Sequence, residues 1–334
     1  MSRSRGQRFQ RTTSMDVRRL SASAGTSSSA ALDDAELRVI TGPTAAGKTG
    51  LAMRLVERRR ALIISADSRQ IYRGFDVGTA KPTPAERARV EHRGVDVADP
   101  TERYSAAAWA AAAAGWIDEA HREGRDVVIV GGTGFYLRAL FAPLFNEPDL
   151  DQARRGSLQR ELAALPLSEL RRWCATLDPA RSHLGRTQLL RAIEIALLTG
   201  ERLSAMHARE ARPARWRPRY LVVDPGPVLR ERIASRVDAM FGAGWVEEVQ
   251  RLSDVPADAP AWNAAGYEAV RDVVRGTSSV AAARERVVIE TRQYAKRQRT
   301  WLRHQLEGAP ALRINPDEQG AFAHAERWWS GDSA

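Results

Sequence analysis

The chain has 334 residues, 43% of them hydrophobic, enough for one large or two smaller domains with a real core. No apolar run approaches the length of a membrane span, and the single cysteine, Cys174, excludes an internal disulfide framework and a cysteine-rich zinc site, which suits a reducing cytoplasm. A net charge of +10 points to an acidic partner, nucleic acid before an anionic membrane surface.

Residues 1–35 are rich in Ser and Arg, with Asp16 the only acid before Asp33, and read as a disordered basic tail with a superficial likeness to a transit peptide. The apolar run Leu37-Arg38-Val39-Ile40-Thr41 predicts a strand. It leads into Gly42-Pro43-Thr44-Ala45-Ala46-Gly47-Lys48-Thr49, which has the full phosphate-loop spacing of two glycines around four residues, then Lys and a hydroxyl. The glycines let successive N–H groups converge on phosphate oxygens at a helix N-terminus. Lys48 adds a point charge, and the Thr49 hydroxyl is placed to ligate the Mg2+ that accompanies a diphosphate. The motif specifies a polyphosphate without saying which one.

A helix follows from Leu51, then a short strand, Leu62-Ile63-Ile64, ending at Ser65-Ala66-Asp67-Ser68. Strand, phosphate loop, helix and strand make a βαβ unit, so Gly42 and Asp67 are expected at the carboxyl edge of a parallel sheet, where open α/β sheets bind ligands. Gln70 to Pro82 reads as a loop carrying Lys81, Val95-Asp96-Val97 as another short strand, and Ser105 to Glu123 as an Ala-rich helix. Val127-Val128-Ile129-Val130 is a buried strand running into Gly131-Gly132-Thr133-Gly134. Phosphate-loop NTPases commonly place a Mg2+-binding Asp there, and its replacement by glycines argues against routine ATP hydrolysis.

From residue 146 to 218 strand patterns vanish, and Ala153–Leu165, Ser168–Leu177 and Thr187–Leu198 read as helices, the last capped by Thr187 and stopped by Gly200. This insertion carries fourteen Arg against nine acids between Glu147 and Arg219, consistent with binding a phosphate backbone. A strand returns at Tyr220-Leu221-Val222-Val223-Asp224, so 36–145 and 219–320 are expected to form the α/β core around the insertion. Arg232 and Arg236 follow, four apart on one helix face. Arg284 to Arg303 predicts one long helix, with Arg292, Lys296, Arg299 and Arg303 as a basic stripe and Val287, Thr291, Tyr294 and Trp301 as the face toward the core. Of 51 Lys plus Arg, only Lys48, Lys81 and Lys296 are lysine, which marks these as sites needing a compact ammonium.

Together these segments resemble the tRNA dimethylallyltransferases, the tRNA isopentenyltransferase family. The likeness rests on Gly42–Thr49, Asp67–Pro82, Val130–Tyr136, Gln188–Glu194, Gly266–Glu268 and Thr291–Trp301, in order across Leu37 to Arg303. It implies a phosphate-loop NTPase-like parallel sheet with a helical tRNA-binding insertion. The implied reaction moves a five-carbon allylic group from dimethylallyl diphosphate to N6 of the adenosine at tRNA position 37, next to the anticodon, with Mg2+ required. By the resemblance, Asp67 matches the catalytic Asp, read as the base that takes the N6 proton, with a Mg2+-holding or turn-capping role as the alternative; Lys48, Thr49 and Arg236 serve the diphosphate, and Thr133 contacts the target nucleotide. It assigns tRNA contacts to Asp67, Ser68, Arg69, Gln70, Arg154, Gln188, Leu189, Leu190, Arg191 and Ala192, and to Asn263–Glu268, where Glu268 departs from a more basic family form. The expected partners are the tRNA anticodon stem-loop and dimethylallyl diphosphate, with no membrane and a monomeric state. The competing readings are a small-molecule kinase using ATP, a prenyltransferase acting on free adenine nucleotides, and a non-catalytic RNA-binding NTPase switch. The Arg-rich insertion and basic stripe favour a polymeric acceptor.

Overall fold

The computed structural model describes residues 36–142, 150–209, 215–306 and 310–331; the tail read as disordered lies outside the described residues. The apolar runs become the strands β1 (Glu36–Thr41), β2 (Ala61–Ser65), β3 (Glu91–Arg93), β4 (Asp126–Val130), β5 (Arg217–Val223) and β6 (Ala311–Ile314). They form one sheet in the order β3-β2-β4-β1-β5-β6, with every neighbouring pair parallel. Ile40 lies opposite Val130 on one side and Leu221 on the other, so the strand before the phosphate loop is central.

The strands read as unbroken apolar runs because both faces are covered. Leu37, Val39, Leu62, Ile64, Val127 and Ile129 enter one core cluster, while the alternate residues Ile40, Ile63, Val128 and Val130 enter another. The second layer is closed by α1 (Lys48–Val56) and by the last described helix (Ala321–Ser330), whose Trp328 and Trp329 are buried in it. The first is covered by α3 (Ala106–Arg122), which follows the short helix α2 (Pro84–Arg89), and by helices from both halves of the core. These are α4 (Gly134–Phe141) before the insertion, and α9 (Leu229–Gly242), α10 (Trp245–Arg251), α11 (Tyr267–Val274) and α12 (Val280–Gln305) after it. Between them, α5 (Gln152–Ala163), α6 (Leu167–Leu177), α7 (Arg186–Thr199) and α8 (Leu203–Arg209) gather around a separate cluster that includes Leu162, Leu170, Cys174, Leu189, Ile193 and Met206.

Three local expectations are corrected. Val95–Val97 is not a strand: the third strand is Glu91–Arg93, and Asp96 turns at φ 58° to meet Lys81. The cap of α7 is Gly185, not Thr187, and the Gln188 side chain accepts from the Gly185 N–H at 3.2 Å; Gly200 does end the helix, in the left-handed conformation. The chain also returns to the sheet once more than its patterns suggested, with β6 and α13 (Ala321–Ser330) completing the apolar layer behind α1.

Candidate active site

The strand order reverses around β1, so the ends of β1, β2, β4 and β5 converge on one edge, and each carries part of the site. The phosphate loop leaves β1 at Gly42, whose φ is 147° and where a Cβ would lie 2.1 Å from the Val223 carbonyl oxygen; only glycine lets β1 and β5 run this close. Gly47, left-handed at φ 92°, starts α1, so the N-terminal amides of that helix face the loop's concave side. The Lys48 ammonium donates to the Pro43 carbonyl at 2.7 Å. Burial, then the neighbouring Arg236, pull its pKa down to about 8, with Asp67 opposing them. Arg236, on α9, is likewise held below the usual arginine range by burial, partly offset by Asp67. Two desolvated cations therefore share one carboxylate, an arrangement that favours an anionic ligand.

Asp67 stands where the βαβ reading placed it, just beyond β2. Its Oδ1 accepts from the Arg69 N–H at 2.8 Å, an Asx turn that fixes the carboxylate's direction. Thr133, just beyond the end of β4, accepts from the Ser68 N–H at 3.0 Å through Oγ1, which ties this strand end to the residue after Asp67. Thr44, Asp67, Arg69, Arg236 and Tyr294 line one narrow cavity of about 70 Å³, so the loop, the carboxylate and the α9 arginine face the same space. Val237, Met240, Trp245 and Val287 supply an apolar wall to it. Burial and the nearby Asp67 push the Tyr294 hydroxyl well above its ordinary pKa, so it stays protonated. Among the described residues no cluster of three or more His, Cys, Asp or Glu could cage a metal. The Thr49 hydroxyl on α1 suits an ion held mainly by phosphate oxygens and water.

The remaining predicted contacts divide. Arg69 faces the narrow cavity and also a larger one of about 660 Å³, bounded by Asn263, Ala264 and Ala265; the charge of Glu268 there is met by Arg271 at 3.0 Å and Arg275 at 2.9 Å. Gln70 is committed inward: it accepts from the Ser65 hydroxyl at 2.9 Å and donates to the Ala80 carbonyl at 3.0 Å. In the insertion Arg154 is exposed, and Gln188 and Leu190 line a crevice of about 940 Å³ that also touches Phe135 on α4. Leu189 and Ala192 are fully buried, so their side chains belong to the core of the helical unit and not to an RNA-facing surface. Arg191 pairs with the buried Glu194 at 2.5 Å, alongside Arg155 at 2.6 Å. The stripe on α12 is also narrower than expected, because Arg299 turns inward and donates to Asp224 at 2.9 Å.

The site rests on groups that the sequence reading passed over. Glu248, 2% exposed on α10, accepts from the backbone N–H groups of Asp76 at 2.8 Å, Val77 at 2.6 Å and Gly78 at 3.3 Å, and from the Tyr267 hydroxyl at 2.7 Å. It organises the loop after Asp67 with no local signal beyond an acid on an otherwise apolar helix face. Lys81, flagged by the lysine count, serves the same loop: its ammonium is buried and donates to the Tyr72 carbonyl, to Asp76 at 2.6 Å and to Asp96 at 2.5 Å. Its need for a compact cation is structural.

A family model described as IPP transferase matches residues 70–305. A tRNA dimethylallyltransferase of Halorhodospira halophila is 42% identical over 290 residues, which cover 84% of this chain and 93% of that protein. One from an Anaeromyxobacter species is 43% identical over 276 residues, 80% and 92% of the two chains. Among solved structures, the full-length tRNA isopentenylpyrophosphate transferase of Bacillus halodurans is similar with a TM-score of 0.64 at 31% identity, covering 89% of this chain and 96% of its own. A eukaryotic dimethylallyltransferase acting on tRNA reaches a TM-score of 0.74 at 23% identity over 89% and 80% of the chains, a likeness of fold.

Proposed function

Because the chain belongs to the IPP transferase family, we propose that it transfers a dimethylallyl group from dimethylallyl diphosphate to N6 of the adenosine at tRNA position 37, next to the anticodon, and releases diphosphate. The observation that carries the chemistry is the narrow cavity onto which the phosphate loop, Arg236 and Asp67 all face, with an apolar wall of Val237, Met240, Trp245 and Val287. One end suits a diphosphate and the other a short hydrocarbon, which is the make-up of an allylic diphosphate.

In this reading the loop amides, Lys48 and Arg236 hold the diphosphate and stabilise the charge that grows on it as the C–O bond breaks. Mg2+, when bound with the diphosphate at the Thr49 hydroxyl, supplies further neutralisation of the leaving group. The N6 lone pair forms the new C–N bond, the electrons of the broken bond leave with diphosphate, and Asp67 accepts the N6 proton. Its Asx turn to Arg69 supports that role by holding the carboxylate at the acceptor side. The adenine must leave the anticodon-loop stack to reach this point, where Arg69 lines the cavity. The exposed arginines of the helical insertion, 146–218, and Arg292, Lys296 and Arg303 on α12 are the proposed backbone contacts.

Labelled dimethylallyl diphosphate, incubated separately with tRNA and with AMP, tests this directly. Label in tRNA alone is the expected result. Transfer to AMP, or robust ATP hydrolysis without tRNA, would overturn it.

A further inference from the structure

The sequence block Tyr294 to Trp301 on α12 holds a basic stripe, yet its most buried polar side chain is uncharged: Gln298, 7% exposed. Its amide spans two different strand ends. The Oε1 atom accepts from the Thr44 N–H of the phosphate loop at 2.8 Å, and Nε2 donates to the Gly132 carbonyl beyond β4 at 3.1 Å. The amide packs directly against Gly132, where a Cβ would lie 2.3 Å from Nε2. The neighbours of Gln298 on α12 pin the same edge of the sheet. Arg299 donates to Asp224 beyond β5 at 2.9 Å and to the Gly226 carbonyl at 2.8 Å, and the Trp301 ring covers Gly134, where a Cβ would lie 2.2 Å away. Residues 298–301 of one helix thus latch the ends of β1, β4 and β5 together.

We propose that Gln298 is a positioning residue that sets the donor side of the site in register with the acceptor side. The connection is continuous. Thr44 lines the reaction cavity with Asp67; Gln298 joins Thr44 to Gly132; the next residue, Thr133, accepts from Ser68, which follows Asp67 in the chain. An uncharged amide donates and accepts at once without adding charge beside a diphosphate. This inference rests on the donor and acceptor assignment made above. Its consequence is that loss of the bridge should impair transfer between two substrates that both still bind, because reacting atoms displaced by a fraction of an ångström to an ångström lose about 10- to 10²-fold in rate.

The test uses the full chain with Gln298→Met, which keeps length and loses both hydrogen bonds, and Gln298→Glu, which keeps the acceptor for Thr44. Single-turnover transfer at saturating tRNA and dimethylallyl diphosphate is measured beside separate binding titrations of each and a thermal melt. Gln298→Met should slow transfer about 10- to 10²-fold with tRNA affinity within about twofold of wild type. In Gln298→Glu the introduced carboxyl can donate to Gly132 only when protonated, so its rate relative to wild type at the same pH should recover as pH falls. Gln298→Met transferring at the wild-type rate would overturn the proposal. So would parallel losses of melting temperature, both affinities and rate, or a Gln298→Glu ratio that does not move with pH, since these describe a structural prop only. Wild-type protein that binds no dimethylallyl diphosphate would instead sink the functional reading beneath it.

Discussion

Replacing Asp67 by Asn separates the chemistry of that residue from its architecture. The Asn side chain keeps a carbonyl oxygen where Oδ1 now accepts from the Arg69 N–H at 2.8 Å, so the Asx turn survives, and with it the Ser68 N–H to Thr133 bond at 3.0 Å. Both substrates should therefore bind, while on the proposed mechanism the N6 proton should lose its acceptor. General-base removal costs about 10² to 10⁴ in turnover, or about 3–5 kcal/mol on the barrier. A second, independent effect follows from the electrostatics. The Asp67 charge raises the pKa of Lys48 and of Arg236, so its removal should drop Lys48 below its present value of about 8. In the proposed reading Lys48 holds the diphosphate as the ammonium, so the pH above which donor affinity fades should move downward in the variant. The assay is single-turnover transfer with saturating tRNA and donor, beside binding titrations of each on the acidic side of neutrality. Near-normal transfer by Asp67→Asn would refute the base assignment, and loss of donor binding in step with the rate would assign Asp67 to the metal instead.

The remaining expectations concern the loop, its support and the RNA face. In wild-type protein, burial and Arg236 hold the Lys48 pKa at about 8, so the ammonium is present below that pH and lost above it; donor affinity should fall as pH rises through about 8, and Lys48→Met should remove the inflection along with roughly 10² in rate. An affinity that stays flat through that range would exclude the assigned role. Lys81→Arg should lose about 2–4 kcal/mol in chemical denaturation despite conserving charge, because the larger guanidinium replaces a buried ammonium set between the Tyr72 carbonyl, Asp76 and Asp96; unchanged stability would show that the site tolerates any cation. Arg154→Ala, at an exposed position on α5, should weaken tRNA binding across sequences and lower the slope of log affinity against log salt by about one, with donor binding unaltered. Arg191→Ala is the poorer probe, since Arg191 is held by the buried Glu194 of the insertion core.

By itself the sequence determined whatever depends on neighbours along the chain. The glycine and lysine spacing of the phosphate loop, the apolar runs of β1, β2, β4 and β5, Asp67 at a strand end and the single long helix of α12 are local patterns, and each stands where its pattern placed it, whereas Val95–Val97 turns instead of forming a strand and β6 carried no such pattern. Three lysines in an arginine-rich chain flagged Lys81 without saying that its partners are a loop carbonyl and two carboxylates. Periodicity assigned Arg299 to a surface and the family resemblance assigned Leu189 to an RNA contact, because a helix has more than one face and sequence does not say which face meets another element. The order β3-β2-β4-β1-β5-β6 is likewise a tertiary fact, and it brings four strand ends to one edge. Gln298 shows the reason most plainly. It bonds to Thr44 across 254 positions of sequence and to Gly132 across 166, and nothing in its own neighbourhood, a run of basic residues, distinguishes it. Local patterns encode which backbone forms and which face is apolar. Which buried polar groups satisfy one another is decided only when the sheet closes, since a hydrogen bond needs atoms about 3 Å apart and the chain supplies that proximity through packing.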